Sequence, residues 1–256
     1  MYKHAIVRRP GESFAEGLTS FKGPPADYKK ALEQHEAYCA ALVRCGVEVV
    51  RLEADLTHPD STFVEDVAVL ARDSAILTRP GAKSRQGEVN RIREPLGKFF
   101  KAISEIKAPG TVDGGDICEA EKHFFIGVSQ RTNEEGAKQL AAFLARSGYT
   151  TSIVDIRAMR SILHLKSGIA WVGDGKLVVM EELSGREEFR GYELIRVARG
   201  ESYAANCVRV NDYVLIPAGF PDIANDLIAR GFKVLALEVS EFQKMDGGLS
   251  CLSLRF

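Results

Sequence analysis

One order of elements, strand, strand, helix, strand, recurs along this chain, and it limits the fold more than any other feature. In "FVEDVAVLARDSAILTRPG" two apolar runs flank a short polar turn, which predicts a hairpin from residue 63. "EVNRIREPLGKFF" then sets Val89, Ile92, Leu96 and Phe99 or Phe100 at helical spacing, and "AISEIK" returns as a strand. The order recurs in "TVDGGDICEAEKHFFIGVSQ", the helix "NEEGAKQLAAFLARSG" and the strand "TTSIVDI". A third pass runs "HLKSGIAWVGDGKLVVMEE", a shorter helical piece near "REEFRG", and "YELIRVA". The fourth is "NCVRVNDYVLIPAG", "PDIANDLIARG" and "FKVLALEV".

Each end of the chain holds part of a further unit. The C-terminus "GLSCLSLRF" supplies one apolar strand, and the N-terminus supplies "HAIVRR", the helix "DYKKALEQHEAYCAALVRCG" and the strand "VEVVRLE". Joined in space they complete a fifth repeat, so the expected fold is an α/β ring of five ββαβ-type units closed by pairing of the N- and C-terminal segments, which hides sheet edges. In its helix, Tyr28, Leu32, His35, Cys39, Leu42 and Cys45 share one face and read as core. Trp171, Phe124 and Phe125 likewise read as blade core. No segment has a linker's composition, so residues 1–256 read as a single domain.

Composition excludes several function classes. Lys and Arg number 34 against 35 acids and are dispersed along the chain, so neither a nucleic-acid nor a membrane partner is indicated. The start "MYKHAIVRRP" lacks a signal peptide's apolar region, and no run approaches the roughly 18 apolar residues of a spanning helix. Five cysteines, at 39, 45, 118, 207 and 251, form no CxxC pair and no regular framework. Reduced thiols and a cytoplasmic location are expected.

The first strands of the five units begin near Asp66, Asp116, His164, Asn206 and Cys251, at separations of 50, 48, 42 and 45 residues. Equivalent positions in a ring face one end of its axis, so these side chains are expected to converge. A free thiol with a pKa of about 8.5 needs a neighbouring base or cation to become a nucleophile. His164 is the candidate acid and base, with Asp113 or Asp116 to orient it. Acids facing a thiol repel its thiolate unless the substrate brings positive charge, and guanidinium supplies that charge, a planar fork for carboxylates and an electrophilic carbon.

"FVEDVAV", "TVDGGDI", "HLKSG" and "KMDGGLSCLSLR" resemble the signature segments of the dimethylarginine dimethylaminohydrolase family, within the guanidino-group-modifying superfamily. The resemblance spans essentially the whole chain and implies a five-bladed α/β propeller. It implies hydrolysis of Nω-methylated arginines to citrulline plus dimethylamine or methylamine, with Cys251 as nucleophile, His164 as general acid and base, and Asp113 holding the histidine where some relatives have Glu. Asp66, supported by Glu65, matches the carboxylate that grips the guanidinium; Leu18, Asp60, Arg85 and Arg131 match further binding positions, the arginines suiting the α-carboxylate, and Phe63 the alkyl stem. Arginine deiminases carry an acid two residues after the histidine, where this chain has Lys166, which favours a methylated substrate.

No cofactor is implied. His164, Cys251 and Asp113 have zinc-ligand chemistry, but no HxxxH or CxxC spacing organises a required metal site. Two other readings stay open, hydrolysis of arginine or another substituted guanidine, and a non-catalytic methylarginine-binding protein. A homodimer is compatible with the sequence, which specifies no oligomeric state.

Overall fold

The computed structural model describes residues 1–256. The chain begins with β1 (His4–Arg8), α1 (Tyr28–Arg44) and β2 (Glu48–Leu52). Next come β3 (Ala68–Ala71), β4 (Ser74–Leu77), α2 (Asn90–Gly97) and β5 (Ala102–Glu105), then β6 (Ile117–Ala120), β7 (His123–Val128), α3 (Glu134–Arg146) and β8 (Thr150–Asp155). A 3₁₀ turn, Glu187–Phe189, replaces the helix between β9 (Ile169–Gly173), β10 (Lys176–Met180) and β11 (Glu193–Val197). The chain finishes with β12 (Val208–Val210), β13 (Tyr213–Pro217), α4 (Pro221–Ala229), β14 (Lys233–Leu237) and the two-residue β15 (Leu254–Arg255).

These strands form five three-stranded sheets, four from consecutive segments and the fifth in the order β15-β1-β2. In every sheet the first pair is antiparallel and the second parallel. That follows from the connections, since two residues can turn a hairpin whereas a parallel partner needs a crossover. Each of the four hairpins turns on a residue of positive φ, Arg72, Glu121, Asp174 or Asn211, between +44° and +60°. In the fifth sheet the hairpin is the break in the chain. There the amides of Lys3 and His4 donate to the Phe256 carbonyl at 2.8 Å, and Phe256 returns a bond to the His4 carbonyl at 3.0 Å.

Burial follows position within a blade. Middle strands such as β7 and β10 are buried along nearly their whole length, while outer strands such as β2 and β14 face solvent at alternate or neighbouring positions. Helices cover the blades and start and stop on local signals. Asp27 and Asn133 cap α1 and α3 by accepting from the amides of Lys30 and Gly136. Gly46, Gly148 and Gly231, at φ near +80° to +90°, follow the ends of α1, α3 and α4.

Two details depart from expectation. The buried face of α1 centres on Ala31, His35, Tyr38, Cys39 and Leu42, with Leu32 and Tyr28 at its margin. Tyr38 turns inward because its hydroxyl meets Ser253 Oγ at 2.7 Å, tying the helix to the C-terminal segment. Cys251 lies not on a strand but in the 3₁₀ turn Leu249–Leu252 just before β15.

That turn belongs to a set. Short 3₁₀ turns precede every first strand: Val64–Val67, Gly114–Asp116, Leu165–Ser167 just after His164, Arg199–Ala205 just before Asn206, and Leu249–Leu252. Contacts run from Leu249–Leu252 through Val64–Val67, Gly114–Asp116 and Leu165–Ser167 to Arg199–Ala205, and the Ser250 amide donates to Asn206 Oδ1 at 3.0 Å. "DGGD" permits the closest approach, since a Cβ on Gly115 would lie 2.7 Å from His164 Nδ1 and 2.9 Å from Asp66 Oδ1. All five cysteines are free and buried, and no helix is long and apolar enough to cross a membrane.

Candidate active site

At the end of the axis where the turns meet lies a small cavity of about 30 Å³. Leu18, Asp60, Phe63, Asp66, Arg85, Arg131, His164 and Cys251, all singled out from sequence, line it. Asp113 is fully buried directly behind His164, its Oδ2 3.1 Å from the ring Nε2.

Glu65 departs from its expected place. A 3₁₀ turn advances roughly 120° per residue, so neighbours in it face different sides. Asp66 faces the cavity, while Glu65 lines a second space of about 110 Å³ inside the ring, walled by residues of all five first strands. The same division separates Cys251 from Ser250 and His164 from Lys166. Trp171, read as blade core, is only half-buried and also lines this inner space. Beneath the site Glu65 Oε1 accepts from Lys166 Nζ at 2.6 Å and from Arg255 Nη2 at 3.0 Å.

Electrostatics within the cavity are strongly polarised. Burial works against charge on His164, but Asp66, Asp116 and the bond to Asp113 outweigh it and raise its pKa to about 9. The imidazolium therefore predominates at neutral pH. Burial opposes charge on Asp66 as well, yet Arg85, His164 and the Gly115 amide hold it down to about 2. Burial, with Glu65 and Asp66 nearby, pushes the Cys251 thiol up to about 12. Asp60, raised by burial, accepts the Leu18 amide at 3.0 Å.

The two arginines are unequal. Arg85 is buried and already committed: Nε and Nη2 donate to Glu88, Nη1 to Asp66 Oδ2 at 2.5 Å, and Nη2 also to the carbonyls of Asp60 and Phe63. One Nη1 hydrogen is left for a ligand. Arg131 is half-buried and less constrained, with Nη1 3.7 Å from Asp113 Oδ2.

Several participants gave no sequence signal. Asp246 accepts the Ser20 amide at 2.6 Å and its hydroxyl at 2.8 Å, and Thr19 Oγ1 donates to the Lys244 carbonyl, so the segment around Leu18 is fastened across the mouth. At about 30 Å³ the cavity exceeds the roughly 10–15 Å³ that one water needs and is small for an arginine-sized ligand. Glu88 acts through Arg85, three residues before it in the same 3₁₀ helix, and Arg255 through Glu65, distant in sequence. Asp66, Asp113 and His164 are the one group of donor side chains close enough to share a metal ion, and a cation there would compete with Arg85 for Asp66.

Residues 24–252 match the model of a family described as N,N dimethylarginine dimethylhydrolase, eukaryotic. The chain is 44% identical to an N(G),N(G)-dimethylarginine dimethylaminohydrolase of Pseudomonas aeruginosa over the full length of both. It is 33% identical to a protein of the same description from Streptomyces coelicolor, covering 99% of this chain and 96% of the other. A solved Pseudomonas aeruginosa structure, a cysteine-to-serine variant complexed with citrulline, superposes with a TM-score of 0.97 and 44% identity over 100% of both chains. The N-terminal domain of the arginine dihydrolase ArgZ from Cyanobacteria, 19% identical with a TM-score of 0.88 over 100% of this chain and 97% of the other, shares the fold.

Proposed function

Because this chain belongs to the dimethylarginine dimethylaminohydrolase family, we propose that it hydrolyses Nω-methylated arginines to citrulline and an alkylamine through a covalent intermediate on Cys251. The observation that carries the reading is one small cavity lined by a neutral thiol, a protonated histidine and an ionised carboxylate. Such a set is inert until a cation enters.

Asp66 accepts hydrogen bonds from the guanidinium, placing its carbon at the thiol. The bound cation offsets the repulsion from Glu65 and Asp66 and favours the thiolate, whose proton passes to solvent because His164 already carries one. Sulfur attacks the guanidinium carbon, forming the C–S bond, and His164 gives its proton to the methylated nitrogen. The C–N bond breaks, dimethylamine or methylamine departs, and an S-alkylthiouronium remains. His164, now neutral, takes a proton from water while the water oxygen attacks the same carbon. The C–S bond then breaks as the added hydroxyl becomes the carbonyl of citrulline, its proton passes to the departing sulfur, and the thiol and the imidazolium are both restored. Asp113 orients the ring throughout.

Asp60 and the Leu18 segment hold the α-amino group, Arg131 and the free hydrogen of Arg85 the α-carboxylate, and Phe63 the alkyl stem. Glu65 acts from beneath, anchoring Arg255 and Lys166. The protein works as one catalytic domain over residues 1–256, without a cofactor, in the cytoplasm.

Citrulline formation from asymmetric dimethylarginine and from arginine, with wild type and Cys251→Ser and with chelator present, tests the proposal. Turnover of the methylated substrate that survives chelation and vanishes in the variant is expected. Preferred turnover of arginine would reassign the substrate, and binding without turnover would make the protein a methylarginine binder.

A further inference from the structure

Asp116 stays outside the mechanism above, yet it is fully buried and sits between three parts of the site. Its Oδ1 accepts the amide of Leu165, the residue after His164, at 3.0 Å. Its Oδ2 accepts the hydroxyls of Ser129 at 2.7 Å and Thr132 at 2.6 Å. Both hydroxyls are committed on their other side. Ser129 Oγ accepts the amides of Arg131 at 2.9 Å and Thr132 at 3.1 Å, filling its two lone pairs, so its proton goes to the carboxylate. Thr132 Oγ1 accepts the amide of Asp113 at 3.1 Å.

We infer that Asp116 is a positioning residue that sets His164, Asp113 and Arg131 in register from one buried carboxylate. Two other chain segments hang from it, the histidine turn directly and the Ser129–Thr132 loop through both hydroxyls; from that loop Thr132 reaches back to the Asp113 backbone and Ser129 holds the Arg131 backbone. All three donors are fixed in direction, so only a group with two acceptor oxygens satisfies them. Asparagine fits the space but turns an amide toward either the two hydroxyl protons or the Leu165 N–H.

The inference rests on the hydrolase reading, and its arms separate in kinetics. Thr132→Val cuts the Asp113 arm; kcat for asymmetric dimethylarginine is expected to fall about 10-fold, with KM within about 2-fold of wild type, because misplaced catalytic groups slow chemistry. Thr132→Ser keeps the hydroxyl and should restore kcat. Ser129→Ala cuts the Arg131 arm and should raise KM about 10-fold at near-normal kcat, because a binding group has shifted. Asp116→Asn should show both defects, with kcat down on the order of 100-fold. If Asp116→Asn does not fold, the other two variants decide. Unchanged constants in both, or the same change in both, would show a merely structural carboxylate.

A readout without substrate separates this inference from the reading beneath it. The imidazole proton shared by His164 and Asp113 should give a downfield NMR resonance. It is expected to move upfield in Thr132→Val and to hold its place in Ser129→Ala. An unmoved resonance in Thr132→Val overturns the inference whatever the substrate is.

Discussion

Arg85→Met probes whether this arginine chiefly binds substrate or chiefly holds the site together. The side chain reaches two buried carboxylates and two backbone carbonyls, and Asp66, Arg85 and Glu88 are all at least 95% buried. Deleting the guanidinium leaves Asp66 and Glu88 as buried charges without their cation, a change that typically costs about 3–5 kcal/mol. At about 2–4 °C per kcal/mol for a chain of this size, the melting temperature should drop by roughly 6–20 °C. The loss should also depend on pH. Without Arg85, burial drives the Glu88 pKa further above its unfolded value, and Asp66 loses one of the two cations that lower its pKa while keeping His164 and the Gly115 amide. The protonated form of Glu88 then favours folding at low pH, and that benefit fades as pH rises through the raised folded value. Urea unfolding should therefore show a larger deficit at pH 8 than at pH 5, with an unchanged m-value, and Glu88→Leu in the same background should recover part of it. A loss below about 1 kcal/mol, accompanied mainly by a rise in KM, would refute the reasoning, because surface-type pairs have that magnitude.

Thiolate absorbance should place the Cys251 ionisation near about 12 in the free protein and lower once a guanidinium analogue is bound; equal values would reject substrate-assisted ionisation. Turnover should decline as pH rises through about 9, where His164 loses its acidic proton. The same group is raised from 6.5, so its stabilisation is complete below that pH and gone above about 9, an effect of order ~3 kcal/mol measurable by urea titration across that window. His164→Gly should bind substrate but fail to release the amine, detectable as enzyme without product burst. Removing residues 254–256 deletes β15 and the Arg255–Glu65 tie, and is expected to abolish activity. A short linker joining Phe256 to Met1 should instead preserve activity, checked by citrulline assay.

The architecture was readable because its signals are local. Period-two apolar runs, hairpin turns and capped helices recur at similar spacing, and the partial units at each end fit only each other. The meeting of Cys251, His164 and Asp66 followed from the same register. What escaped was direction within the short turns. Sequence puts Glu65 beside Asp66, and a residue step of roughly 120° sends one to the cavity and the other to the ring interior. Partnerships such as Glu65 with Arg255, Ser20 with Asp246 and Tyr38 with Ser253 depend on the separation of packed segments, which no local pattern encodes. Sequence leaves Asp113 and Asp116 as alternatives for orienting His164, because the hydroxyl partners of Asp116 belong to the loop after β7.

The pairing that closes the ring also places the thiol. The fifth blade takes β15 from one end of residues 1–256 and β1 and β2 from the other, so its contacts span nearly the whole numbering. Cys251 lies in the turn that runs into β15, and the pairs Ala5–Arg255 and Ile6–Leu254 hold that strand in register. Opening this short ladder would let the sulfur drift from His164 and Asp66 while the other four blades stay paired.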